Sequence, residues 1–258
     1  GYELRFSYLD DLESVQIPLS NQANMNLVGR IDRVDICEKE TELYVKVVDY
    51  KSGKKTFRIQ DFYYGLELQL VVYMETMVEK FARDQADKTV IPAGIFYYNL
   101  DDPIVDKVDA PLYEDTLLKE LRVNGLVNEK KEVIGALDAS FVEDGELKPS
   151  VKSNVIPVET LKSGGFSKNS SVASAEQFDN IMRYARKKME QLGKQMMEGQ
   201  CSVAPYQLGD RTACEYCMYG SVCAFDKKAG SQFRVLEELD KEEILRRVEK
   251  GLEGGEEI

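Results

Sequence analysis

Two runs constrain this chain more than any other feature: Gly29-Arg30-Ile31-Asp32-Arg33-Val34-Asp35 and, a short way on, Val48-Asp49-Tyr50-Lys51-Ser52-Gly53. Asn26 to Ile36 alternates apolar and polar residues, the period of a half-buried strand. Leu43 to Tyr50 reads as a second strand, rich in Val and Tyr. The polar stretch Glu38-Lys39-Glu40-Thr41 is short enough for a hairpin. A turn centred between Glu40 and Thr41 sets Asp32 directly opposite Asp49 with both side chains on one face. Lys51, two residues on, shares that face. Two opposed carboxylates repel unless a cation sits between them. Mg²⁺ takes hard oxygen ligands and keeps several waters, so Asp32, Asp49 and the backbone carbonyl of Tyr50 are the candidate ligands. Lys51 is placed to orient a water or to offset charge on phosphate oxygens. The plainer alternative makes these acids surface strand residues, ion-paired with Arg30, Arg33 or Lys51. Asp35 faces away from Asp32 by strand parity and is assigned, with Arg33, to pairing with Lys46 across the hairpin.

The rest of the chain supplies an α/β frame. Asp61 to Arg83 carries apolar residues at helical spacing, and Gln69 and Tyr73 are i and i+4 neighbours on one face of that helix. Val90 to Leu100 reads as a buried strand. The order strand, strand, helix, strand predicts a mixed β-sheet flanked by helices. Leu112 to Leu126 and Glu129 to Asp138 read as short helices, Ser153 to Leu161 as an extended segment, and Ser163 to Ser171 as a mobile loop. Ser174 with Gln177 forms a capping box opening a helix that runs to about Met197 and stops at Gly199.

At 258 residues the chain holds one large domain or two small ones; the expected division is a core over residues 1–230 and an acidic helix and tail over 231–258. It starts Gly-Tyr-Glu-Leu-Arg, without an initiator Met or a visible signal peptide, and reads as an excised domain. There is no histidine, which excludes histidine-based acid–base or nucleophilic chemistry within the chain. The net charge of −12 is the wrong sign for a nucleic-acid binder, although much of the acidity sits between Glu237 and Glu257, read as solvated. If DNA binds, most of the basic guidance is expected from a partner surface. Five cysteines, three of them at Cys214-x2-Cys217-x5-Cys223, point to a metal site rather than disulfides, and so to a cytoplasmic location. Cys201 is a spare thiol nearby, and Cys37 reads as a small buried hydrophobe.

The runs GRIDRVD and VVDYKSG, followed by GLELQLVVY, resemble the RecB-type branch of the PD-(D/E)XK nuclease superfamily. Within that branch they most resemble the C-terminal nuclease domains of the AddB family, which belong to a bacterial ATP-dependent helicase–nuclease. The resemblance covers essentially the whole chain. It implies a restriction-endonuclease-like core with a cysteine-rich C-terminal segment. Asp32 and Asp49 would be metal ligands, Lys51 the motif lysine, and Gln69 and Tyr73 the Q-x-x-x-Y motif supporting the site or the DNA. It further implies Mg²⁺ or Mn²⁺ and a [4Fe–4S] cluster on Cys214, Cys217, Cys223 and a fourth cysteine far upstream. The implied partners are an AddA-like helicase–nuclease protein and a single DNA strand delivered from unwound duplex, in recombinational double-strand-break repair. The branch usually adds an active-site residue, often His, on a helix well before the first Asp; Glu3, Asp10, Asp11 and Glu13 are poor substitutes, so this chain is expected to be weakly active or inactive alone. A CRISPR-adaptation nuclease and a non-catalytic nuclease-fold scaffold remain the alternatives.

Overall fold

A computed structural model describes residues 4–6, 15–20, 22–100 and 110–253. Glu3, Asp10, Asp11 and Glu13 lie outside the described residues. In chain order the elements begin with strands β1 (Leu4–Phe6), β2 (Val15–Ser20), β3 (Ala23–Leu27), β4 (Gly29–Ile31), β5 (Arg33–Glu38) and β6 (Glu42–Lys51). Helices α1 (Ile59–Tyr63) and α2 (Gln69–Asp84) follow, then β7 (Thr89–Asn99), α3 (Ala110–Glu120), β8 (Asn124–Asn128) and α4 (Lys131–Leu137). The chain continues through β9 (Val142–Glu143), β10 (Glu146–Leu147), β11 (Val172–Ala173) and α5 (Ala175–Met197). It ends with β12 (Tyr206–Leu208), β13 (Arg211–Thr212), α6 (Gly220–Cys223), β14 (Arg234–Leu236) and α7 (Lys241–Glu253).

The central sheet has five strands in the order β11-β8-β7-β6-β5. β6 runs parallel to β7 and β8 parallel to β11, while the other pairs are antiparallel, so the sheet is mixed as expected. The hairpin register is the one the turn position predicts, with Arg33 opposite Val48 and Asp35 opposite Lys46. β6 is buried on both faces. Leu43, Val45 and Val47 enter the core beneath α2 and α5, and Val48 enters a second cluster with Phe96, Val127, Ile134 and Phe141. Strand parity therefore puts Asp49 and Lys51 on the α2 face.

Several boundaries differ from the sequence reading. Asn26 to Ile36 is not one strand: β3 pairs with β2, β4 with β1 and β5 with β6, with breaks at Val28 and Asp32. Alternating polarity marks each piece as half-buried but says nothing of a change of partner. The Asp61 to Arg83 helix is two helices, because Gly65 takes φ +76° and the amides of Leu66 and Glu67 turn back to the Asp61 carbonyl. The Leu112 to Leu126 helix stops at Glu120, and its last residues form β8 against β7. Gly125 belongs to that pairing: a Cβ there would lie 1.9 Å from the Ile95 carbonyl oxygen. Ser170, in the loop read as mobile, is buried and accepts the Glu159 N–H at 2.9 Å.

α5 forms as read. Ser174 Oγ accepts the Gln177 N–H at 3.1 Å, Gln177 Oε1 accepts the Ser174 N–H at 2.9 Å, and Gly199 takes φ +71° just beyond the end. Phe178, Ile181, Tyr184, Ala185 and Met189 line its buried face. α7, read as solvated, plants Ile244 and Val248 at 0% exposure in the main core beside α5. Its acidic residues occupy the outer face only, since one apolar stripe is enough to dock a helix.

Candidate active site

The hairpin delivers the first acid in an unexpected way. The β5–β6 ladder ends at Arg33–Val48, one step before Asp32 would face Asp49, and Asp32 sits in a bend between β4 and β5. Its Oδ2 accepts the backbone N–H of Tyr50 at 2.9 Å, which holds the carboxylate against the peptide joining Asp49 to Tyr50. Asp49 is 3% exposed. Lys51 Nζ lies 2.7 Å from Asp49 Oδ2, yet that buried oxygen receives no well-directed hydrogen bond. A buried anionic oxygen with one cation beside it and no aligned donor has capacity for a further positive ligand.

Lys51 also donates to Gln69 Oε1 at 3.1 Å, and Gln69 Nε2 donates to the Tyr73 hydroxyl at 2.8 Å. The break after α1 is what makes this possible: it restarts the helix so that Gln69 is the first residue of α2, above the end of β6. Asp49, Lys51, Gln69 and Tyr73 thus form one polar chain running from the sheet into α2.

Tyr97 was not singled out from sequence. It pairs with Asp49 across the parallel β6–β7 ladder, and Lys51 Nζ lies 5.2 Å from its ring centre. Burial pushes its hydroxyl pKa up to about 12, with the Asp49 charge adding to the shift. Only the strand pairing reveals it, since a Tyr in a buried apolar run carries no local signal. Asp35 does what was expected, meeting Arg33 at 2.8 Å and Lys46 at 2.7 Å, and takes no part in the site.

A second grouping escaped the sequence reading. Arg211 of β13 grips Asp61 of α1 through both oxygens, at 2.9 and 2.6 Å, and Asp61 is 3% exposed. Gln60 Nε2 and the Tyr64 hydroxyl both donate to the Glu237 carbonyl, at 2.9 and 2.8 Å. The C-terminal part of the chain is therefore clasped to the α1 region by side chains of Gln60, Asp61 and Tyr64.

The carboxylate pair suits a hard divalent ion. Asp49 offers a buried, poorly satisfied oxygen and Asp32 keeps Oδ1 beyond its bond to Tyr50. Among the described residues no group of three or more His, Cys, Asp or Glu converges on one point. Two carboxylates completed by a carbonyl and waters match the habit of Mg²⁺. The same lack of convergence holds for Cys214, Cys217 and Cys223, which the resemblance pairs with a fourth cysteine far upstream of this chain. Cys214 and Cys217 are exposed and Cys223, at the end of α6, is half-buried, and the three do not assemble as a ligand set. Cys201 is exposed and supplies no fourth ligand. The three thiols sit on a single turn of helix and a loop bearing exposed Tyr216, Met218 and Val222. Cys37 is half-buried against Tyr44, Ala93 and Val133.

The family model for the PD-(D/E)XK nuclease superfamily matches residues 1–224. The chain belongs to this superfamily. Its mixed five-stranded sheet with flanking helices is the PD-(D/E)XK fold. Curated relatives include the AddB subunits of bacterial ATP-dependent helicase/deoxyribonucleases. The one from Lachnoclostridium phytofermentans is 48% identical over 88% of this chain and 20% of its own length. Those from Thermoanaerobacter sp. (strain X514) and Clostridium tetani are each 38% identical, over 97% and 95% of this chain and 21% of their own lengths. This PD-(D/E)XK chain thus spans about a fifth of the length of the curated relatives it matches. No helix among the described residues is long and apolar enough to cross a membrane.

Proposed function

We propose that this chain is a Mg²⁺- or Mn²⁺-dependent deoxyribonuclease domain of a helicase–nuclease protein resembling AddB. It would act as an exonuclease on a single DNA strand delivered by an AddA-like partner during recombinational repair in the cytoplasm. The observation that carries this reading is the buried Asp49 carboxylate with Lys51 at 2.7 Å, beside Asp32 anchored on the same stretch of β6. Similarity to proteins named as deoxyribonuclease subunits supports the substrate.

Asp32, Asp49 and the Tyr50 carbonyl would hold the divalent ion. When bound, it neutralises charge at the scissile phosphate and acidifies a water. Lys51, steadied by Gln69, directs its ammonium toward the attacking water or a phosphate oxygen. Gln69 fixes that ammonium by accepting from it while donating to Tyr73, which ties its orientation to α2. The buried wall that includes Tyr97 limits water around Asp49 and strengthens each of these interactions.

The AddB resemblance includes an upstream active-site residue with no counterpart at His in this chain, so the chain alone is proposed to cleave weakly. The test pairs two readouts on the purified chain. Mn²⁺ titration followed by calorimetry is expected to show binding that Asp49→Asn removes. Prolonged incubation with single-stranded DNA is expected to show slow, metal-dependent cleavage lost in the same variant. Cleavage that survives Asp49→Asn, or ion binding indifferent to it, would overturn the assignment. DNA binding with neither ion binding nor cleavage would favour the scaffold alternative.

A further inference from the structure

Residues 54–58 link β6 to α1 without helix or ladder, and their side chains alternate. Lys54, Thr56 and Arg58 are exposed, while Lys55 and Phe57 are partly covered. The backbone of this link is fixed by two side chains from the neighbouring strands. Lys55 N–H donates to Asn99 Oδ1 at 3.0 Å, Asn124 Nδ2 donates to the Lys55 carbonyl at 2.9 Å, and Phe57 N–H donates to Asn124 Oδ1 at 2.7 Å. A surface segment held at three main-chain atoms presents its outward side chains as a rigid row.

The charges along this row are unusual for so acidic a chain. Nearby cations are committed: Lys51 to Asp49, Lys55 to Glu67 and Arg211 to Asp61. Lys54 and Arg58 engage no carboxylate among the described residues. Burial lowers the Lys55 pKa, Asp61 opposes the shift, and the positive charges of Lys51, Arg211 and Arg58 lower it further, so these cations share one local field. A chain with net charge −12 thus carries exposed positive charge on the link that follows Lys51.

We propose that Lys54, Thr56 and Arg58 form a track for successive phosphates of one nucleic-acid strand, leading to the Asp49–Lys51 end of β6. The proposal rests on the nuclease reading and deepens it. Alternate residues of an extended segment are about 6.6 Å apart, close to the spacing of neighbouring phosphates in an outstretched strand. Arg58 can take a phosphate through two N–H groups, Lys54 acts as a point charge, and Thr56 donates its hydroxyl between them. A single file of donors follows one backbone, so the substrate class is a single strand. Guidance of the strand is thereby built into this chain rather than left wholly to a partner.

The salt dependence of binding tests this. Each phosphate neutralised on a single strand contributes about 0.7 to the slope of log affinity against log salt. Affinity of the chain for a fluorescent thymidine oligonucleotide of about 15 nucleotides is measured by anisotropy in EDTA across a NaCl series. Where metal-free binding is too weak to titrate, wild type and double variant are compared by the salt dependence of KM in Mg²⁺, read as a difference between the two chains. Lys54→Ala/Arg58→Ala is expected to reduce the slope by about 1.4, and Lys54→Arg to preserve it. Lys39→Ala, at the hairpin turn about 30 Å away at the other end of β6, is expected to leave it unchanged. A slope and affinity unmoved by the double substitution overturn the track while leaving the nuclease reading in place. A wild-type chain that neither binds nor cleaves the oligonucleotide overturns both.

Discussion

Asp32 reaches Tyr50 through a 2.9 Å hydrogen bond from the Tyr50 backbone N–H to Oδ2, so the first acid of the site is fastened to the strand that carries the second. The side chain stands where the next ladder acceptor would have been, because the β5–β6 pairing has just ended. A carboxylate with one oxygen anchored and the other free can bridge strand and ion together.

Asn and Ala at position 32 should therefore behave differently. Asp32→Asn keeps an oxygen for the Tyr50 N–H and should leave the melting temperature near that of wild type, while weakening divalent-ion affinity at least tenfold. Asp32→Ala should lose the same affinity and, in addition, about 1 kcal/mol of stability. Mn²⁺ titration and urea unfolding of both variants check the split; equal stability of the two would show that the bond to Tyr50 contributes nothing.

The chain from Lys51 through Gln69 to Tyr73 predicts a graded loss of rate. Lys51→Ala should lower kcat by ~10²–10⁴. Gln69→Ala removes only the group that holds Lys51 and should cost ~10–100-fold, and Tyr73→Phe, one bond further out, should cost least. Single-turnover cleavage rates give the order. A Tyr73→Phe defect larger than that of Gln69→Ala would mean that the hydroxyl acts on the substrate itself.

Arg211→Ala strands the buried Asp61 carboxylate and should destabilise the fold by ~2 kcal/mol, below the value for fully buried pairs because Arg211 is 39% exposed. Asp61→Asn, which leaves no buried charge, should cost less. Urea midpoints measure both. Because this clasp needs no metal, chelator treatment should leave the stability difference between Arg211→Ala and the wild-type chain unchanged.

Two carboxylates should give opposite pH responses. Burial raises the Glu75 pKa against the opposing effect of Arg186, and a repelling Glu79 adds to the rise. The native state therefore holds that proton more tightly than the unfolded chain, and the Glu75 contribution is fullest in acid and fades as pH rises through the raised pKa. Asp35 is the reverse. Burial alone would raise it, but hydrogen bonds from Arg33 and Lys46 prevail and lower it. Its contribution is present above the ordinary aspartate value and is lost as pH falls through the lowered one. Melting temperatures across acidic to neutral pH should show Glu75→Gln gaining on wild type as pH rises, and Asp35→Asn falling behind it over the same interval.

The sequence by itself determined the local geometry. Alternating polarity and a four-residue polar turn set the β5–β6 register, and with it the shared face of Asp49 and Lys51, because side-chain direction on a strand follows parity alone. The capping box of Ser174 and Gln177 likewise depends on residues three apart. Only the tertiary structure decided what meets across long separations. It broke Asn26 to Ile36 into strands with three different partners and brought Tyr97 beside Asp49. It closed Arg211 onto Asp61, 150 residues away, and pinned the Lys54–Arg58 row with Asn99 and Asn124. The three cysteines make the same point from the other side. Close spacing promises proximity, but among the described residues the three thiols do not converge, because the fourth ligand the resemblance calls for lies outside this chain. Periodicity records which side of an element is buried; which partner buries it is settled by packing of the whole chain.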